Sequence, residues 1–162
     1  SPHHIFMELL KKQLDLDIAH VPYKGSSSAM TDLLSGKVEM AFLDGTLAIP
    51  NAQSGKLITL GTSMAKRTVL MASVPPIAET VPGYDWSGWI GFAGPPGMPP
   101  AVVEVIAAEI KTLQATPGYA QLLDKAAMEP TDSMSPTQMA EFVRHEYRRW
   151  APAIKASGAT VD

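Results

Sequence analysis

The apolar positions change period along the chain, and the changes predict its elements. Ser1-Pro2 reads as a helix start, with a hydroxyl at the cap and a proline whose missing N–H is not needed there. Ile5, Leu9 and Leu10, with Lys11 and Lys12 opposite, carry an amphipathic helix to about Leu14. Residues 15–21 then alternate polar and apolar up to Pro22 and predict a strand. Residues 23–28 form a tight, hydroxyl-rich loop, followed by a helix through Met30, Leu33 and Leu34 that stops at Gly36. Residues 38–43 predict a second strand. Asp44-Gly45-Thr46 turns into a short helix ending near Gly55, and residues 57–61 predict a third strand. This helix–strand alternation implies a parallel sheet with right-handed crossovers, in which residues 18–21, 38–43 and 57–60 are neighbours.

Beyond residue 61 the pattern loosens, apart from a helical turn at residues 76–79. Residues 86–92 are apolar and glycine-spaced and read as a strand or crossing segment. Residues 94–100 (Gly-Pro-Pro-Gly-Met-Pro-Pro) are a stiff break of polyproline character, suited to a connection between lobes. Helices follow from Pro100 to about Leu113, from Gly118 to Ala127, and from Ser135-Pro136 onward. Val103, Ile106, Ile110, then Phe142, Val143 and Trp150, give these helices apolar faces. Only residues 128–131 offer another strand. The late helices therefore have no sheet of their own to cover, and the chain reads as lacking an N-terminal part that supplied strands.

Composition narrows the function. The 162 residues carry 13 basic and 16 acidic side chains, a formal charge of −3, which leaves no basic footprint for nucleic acid. With 46% hydrophobic and 18% charged residues, a folded core is expected rather than disorder. No apolar run approaches the ~20 residues of a membrane helix. The start Ser1-Pro2-His3-His4 shows neither the charged nor the apolar region of a signal peptide. The absence of cysteine excludes disulfides, thiolate metal sites and cysteine nucleophiles. His3, His4, His20 and His145 are not spaced as a metal pair on one helical face, so neither metal nor cofactor is expected. Ser26, Ser27 and Ser28 lack the Gly-x-Ser-x-Gly elbow, so no catalytic residue is expected either.

The loop at Gly25 carries the most chemistry. A strand running into glycine, small polar residues and a helix start presents free N–H groups and the positive end of the helix dipole to an anion. The start Ser1-Pro2-His3-His4 offers the same device again. Two such termini converging would clamp a small carboxylate without arginine, whereas the spacing is not that of a nucleotide-binding P-loop. A capped helix with no ligand satisfies the same local pattern. Glycine at position 25 is read as leaving room for backbone approach, so valine there is expected to crowd the loop.

Longer strings are more specific. His20-Val21-Pro22-Tyr23-Lys24-Gly25, then residues 31–38 (Thr-Asp-Leu-Leu-Ser-Gly-Lys-Val), Thr62-Ser63-Met64-Ala65-Lys66-Arg67, Val74-Pro75-Pro76-Ile77-Ala78-Glu79 and Pro95-Pro96-Gly97-Met98-Pro99 run in order along the chain. This series resembles the Bug receptors, the periplasmic solute-binding proteins of tripartite tricarboxylate transporters. The resemblance covers essentially the whole chain and implies an α/β fold, the two-lobed type II periplasmic-binding-protein fold. Residues 1–87 would be most of lobe two. Residues 88–162 would cross back and give helices to lobe one, and the N-terminal half of the receptor would be absent. The ligand-binding residues it implies are Ser1, His3, His4, Tyr23, Lys24, Gly25, Ser26, Ser27 and Asp44. Pro2 and His3 replace two small hydroxyl residues of the family loop. The implied function is non-enzymatic capture of a small carboxylate in the periplasm for the transporter's membrane permease subunits, with self-association of the half-length chain expected. A ligand sensor for a signalling partner and, more weakly, a small α/β hydrolase are the alternatives.

Overall fold

The termini of the helices show why each begins and ends where it does. The structure, a computed structural model, describes residues 1–158. Helix α1 spans Pro2–Leu14, with proline in its first turn and Lys11 and Lys12 in its last, where cations suit the dipole. Helix α2 spans Ser26–Leu34 and α3 spans Gly45–Gln53. Both stop on a glycine in the left-handed region, Gly36 at φ 74° and Gly55 at φ 73°. Their N–H groups turn back to Leu33 and Ala52 respectively. Two 3-10 turns follow, Val69–Met71 and Ile77–Glu79. Helices α4 (Pro100–Gln114), α5 (Pro117–Lys125) and α6 (Pro136–Ser157) complete the described chain. A reciprocal capping box opens α6: Gln138 N–H donates to Ser135 Oγ at 3.2 Å, and Ser135 N–H donates to Gln138 Oε1 at 2.9 Å.

The core lies where α1 meets α6. Phe6 packs against Phe42 and Trp150, with ring centroids 5.7 and 5.9 Å away. Tyr84 is fully buried beside Phe42, and its hydroxyl donates to the Phe6 carbonyl at 2.8 Å. Burial raises the Tyr84 pKa well above the ordinary phenol value, so this donor stays protonated. On α6, the buried Glu146 accepts from Trp150 Nε1 at 2.9 Å and Arg149 at 3.1 Å. Arg149 also donates to the Asp85 carbonyl at 2.8 Å and lies over the Trp86 ring. Helices α4 and α5 bury no residue.

The sheet expectation needs correction. Among the described residues no strand ladder forms, and residues 18–21, 38–43, 57–60 and 86–92 run without one. The single bridge is parallel and lies elsewhere, between Thr62 and Pro76. The physical reason is that alternation reports which face an extended segment would show, whereas a ladder needs a neighbour in register. These segments have no such neighbour here. Ile58 and Leu60 remain 88% and 73% exposed, and Ile90 and Phe92 are 78% exposed. The total accessible surface is 11366 Å². A compact monomer of this mass exposes only about 7,800 Å².

Two stability measurements follow. Tyr84→Phe removes the additional donor to the Phe6 carbonyl and is expected to cost about 0.5–1.5 kcal/mol in denaturant unfolding. At Glu146 burial pushes the pKa up, but the bonds from Trp150 and Arg149 outweigh it and hold it below the usual value. Its contribution is therefore full at neutral pH and lost as pH falls through the depressed folded-state value. Glu146→Gln should destabilise by about 2 kcal/mol at pH 7. The gap to the parent should close as pH drops below the ordinary carboxyl value of 4.5. A gap that widened in acid would show that the carboxylate is not held as charged.

Candidate functional site

Three helix starts assemble the site. Helix α1 begins after Ser1, α2 after Gly25 and α3 after Asp44. Each start leaves N–H groups without an intrahelical partner and carries the positive end of a dipole. None of the three is closed by a side-chain cap. The Asp44 carboxylate instead bridges the starts. Its Oδ2 accepts from Ser26 Oγ on α2 at 2.7 Å, and its Oδ1 lies 3.3 Å from His3 Nε2 on α1. One side chain at the head of α3 thus ties α2 and α1 to it.

The predicted residues divide into those brought together and those used elsewhere. His3, Ser26 and Asp44 meet, with the exposed Ser1 and Gly25 at the caps beside them. Ser26 gives its one hydroxyl proton to Asp44, so its remaining donor is the backbone N–H. His3 also packs edge-on against Phe6, which fixes its ring to the core. Lys24 and Ser27 are exposed. Tyr23 donates to Asp32 Oδ2 at 2.8 Å, and Lys37 Nζ sits 2.9 Å from the same oxygen. The Lys37 hydrogen bond, then that of Tyr23, lowers the Asp32 pKa, so this clamp fastens the loop to the far end of α2. His4 turns away from Asp44 and stacks on His20, centroids 3.8 Å apart and planes 9° apart. Burial, then the neighbouring His20, pushes the His4 pKa down.

Two sequence readings change. Gly25 has φ 178° and ψ 167°, an extended conformation, and no atom lies within 4 Å of an added Cβ. A side chain at 25 therefore would not crowd the protein, and backbone room is not what glycine supplies there. Sequence reasoning also missed that Glu8 and His20 gather at His4. The signal was present as His4 and Glu8 one helical turn apart on α1, but His20 joins only through the fold.

The order of groups bears on catalysis. A serine nucleophile needs an imidazole within hydrogen-bond reach of its hydroxyl, with the acid behind the imidazole. Here Asp44 stands between Ser26 and His3, so the hydroxyl donates to a carboxylate and not to an imidazole. The arrangement favours holding over turnover. Beside it opens a cleft of about 1630 Å³, lined by His3, Asp44 and Gly45 on one side and by Trp89, Phe92 and Arg149 among others. This exceeds the roughly 300–1,000 Å³ typical of a small-ligand pocket. Of the predicted residues only His3 and Asp44 line it; Ser1, His4, Tyr23, Lys24, Gly25, Ser26 and Ser27 do not.

The chain path is similar to that of about half of a solved periplasmic binding protein, BugD, at a TM-score of 0.79. It superposes on the solved structure of Rpa4515 from R. palustris with adipate at a TM-score of 0.82, with 30% identity, covering 98% of this chain and 53% of that one. The chain belongs to the tripartite tricarboxylate transporter receptor family, whose sequence model matches residues 1–159. It is 32% identical over 153 residues to a UPF0065 protein from the tcbD-tcbE intergenic region of Pseudomonas sp. strain P51, covering 93% of this chain and 45% of that protein. It is 26% identical over 160 residues to Protein BugT of Bordetella pertussis, covering 98% of this chain and 49% of that protein. The chain thus spans about half the length of these relatives.

The glycines at two helix ends make a paired test. Gly36→Ala forces a Cβ into the left-handed region at φ 74° and is expected to cost about 1–2 kcal/mol. Gly25→Ala meets no atom and should change stability by about 0.5 kcal/mol or less, toward stabilisation. Chemical denaturation of both variants checks this, and equal losses would mean that Gly25 is strained after all.

Proposed function

We propose that this chain supplies one side of a receptor site that captures a small carboxylate in the periplasm and delivers it to the membrane permease of a tripartite transporter. The observation that carries the reading is the meeting of three uncapped helix starts at Asp44. Such starts present N–H donors and positive dipole ends suited to a ligand carboxylate. Family membership supports the receptor class, and the adipate held by the similar Rpa4515 structure supports the ligand class. In this reading the ligand-binding set is Ser1, His3, Gly25, Ser26 and Ser27 through backbone and imidazole donors. Asp44 holds the helix starts in place, Tyr23 and Lys24 shape the loop, and His4 steadies α1.

The same reading divides the chain at the cleft. Residues 1–87 form most of lobe two, and residues 88–162 return helices to lobe one. The exposed Ile58, Leu60, Ile90 and Phe92 and the unburied helices α4 and α5 are then surfaces that the rest of a receptor covers. In isolation these surfaces favour self-association, which sedimentation would detect as mass above one chain.

A half-site leaves the ligand largely hydrated, and water competes with every donor. If an opposing lobe adds two charge-assisted hydrogen bonds, it contributes roughly 3–6 kcal/mol, or about two to four powers of ten in affinity. The expected result is millimolar-range binding of di- or tricarboxylates by this chain and far tighter binding by a receptor of the relatives' full length. Ser26→Pro tests the start of α2. Proline fits the first position of α2 after the extended Gly25 and deletes one N–H together with the hydroxyl that ties α2 to Asp44. In the full-length receptor it should weaken carboxylate binding about 10- to 100-fold in calorimetric titration while helicity is kept. Micromolar binding by the half-length chain, unmoved by Ser26→Pro, would place the site elsewhere.

A further inference from the structure

We propose that His4, Glu8 and His20 form a divalent-cation site, a two-histidine, one-carboxylate set that would pin the segment after α1 back onto that helix. The three side chains offer one ligand atom each, and those atoms lie within 4.8 Å of one another. His4 and Glu8 sit one turn apart on α1 and so share a face. His20 arrives from beyond the helix end and lays its imidazole on that of His4. Neutral imidazole nitrogens and a carboxylate are the donors that suit zinc, cobalt or nickel, and a water completes a four-coordinate shell.

The geometry needs ring rotations and the displacement of one cation. Ligands about 2.0–2.2 Å from a tetrahedral ion lie about 3.3 Å from one another. The three atoms must therefore close from within 4.8 Å, and the stacked rings must swing so that each points a nitrogen at the same ion. His20 is exposed and free to make that rotation, whereas His4 is held on the helix. The group that resists is Lys11. Its Nζ sits 2.8 Å from Glu8 Oε1, and an arriving cation must displace it. Its flexible stem allows that, and its charge makes binding weaker than in a site without it.

Such a site would act on the loop that follows. Residues 21–25 join His20 directly to Gly25 and the start of α2. An ion tying His20 to α1 would restrict the path between two of the helix starts that meet at Asp44. This does not depend on the ligand being a carboxylate, so it stands or falls apart from the receptor reading.

The test uses the metal alone on the whole chain. Zinc titrated by calorimetry should bind at one ion per chain, and cobalt should give the intense visible absorption of a four-coordinate site. His20→Ala and Glu8→Gln should each weaken zinc at least tenfold and abolish the cobalt signal. Lys11→Gln, which frees the carboxylate, should tighten zinc. The unsubstituted protein should melt at higher temperature with zinc than without, and His20→Ala should lose that rise. No zinc binding below millimolar concentration would overturn the proposal. So would binding that survives both His20→Ala and Glu8→Gln within threefold, because the ion would then sit on His3 or His145.

Discussion

Phe6 is the residue on which the rest of the arrangement leans. Its ring closes against Phe42 and Trp150, and its carbonyl takes the hydrogen bond of the fully buried Tyr84. Through those contacts α1 is fixed to α6 and to the loop that carries Tyr84. The backbone acceptor inside a helix is normally spoken for by the next turn, so an additional donor from Tyr84 sets the rotation of α1 as well as its position. Rotation matters because successive helical residues point about 100° apart. With Phe6 facing inward, His3 falls toward Asp44 and His4 toward His20. The chemistry at the head of α1 is thus a consequence of how one aromatic ring is seated.

The second constraint is surface. At 11366 Å² the chain exposes about 45% more than a compact monomer of its mass would. The excess includes apolar residues that should be hidden: Ile58 and Leu60 in one segment, Ile90 and Phe92 in another, and Val102, Val105, Ile106, Leu113 and Leu122 on α4 and α5. Hydrophobic burial is the main favourable term in folding, and leaving such side chains in water forgoes roughly 1.5–3 kcal/mol each. The arrangement therefore looks for a complementary surface.

Helices were legible in the sequence because their signals are local. Ser135-Pro136 announces the start of α6, and Gly36 and Gly55 announce the ends of α2 and α3, all within one turn of the residue concerned. The sheet was not legible in the same sense. Alternation in residues 15–21 or 38–43 states a preference for extended backbone, but pairing is a relation between distant segments, and none of these finds a partner in register here. The site shows the same divide. The anion-suited start of α2 could be read from Gly25 and the serines after it. That Ser26 would give its proton to Asp44, that Tyr23 would clamp Asp32, and that His4 would leave the group for His20 are all outcomes of packing.

Asp44 gives the site its logic. A carboxylate placed among three helix starts already satisfies some of the attraction that an incoming anion would use, and at close range it repels that anion. Its position is useful only if its charge is directed sideways. Both of its oxygens are engaged laterally, one by the Ser26 hydroxyl and one beside the His3 ring, so its charge is spent on holding helices together. The helix starts themselves contribute backbone N–H groups, which do not titrate or rotate as side chains do. On the proposed reading, a receptor built this way would recognise an acid by fixed geometry. That choice lowers the entropic cost of closing on a ligand and makes recognition depend on how well the helix starts are held. The Tyr23–Asp32–Lys37 clamp and the Phe6 cluster are what hold them.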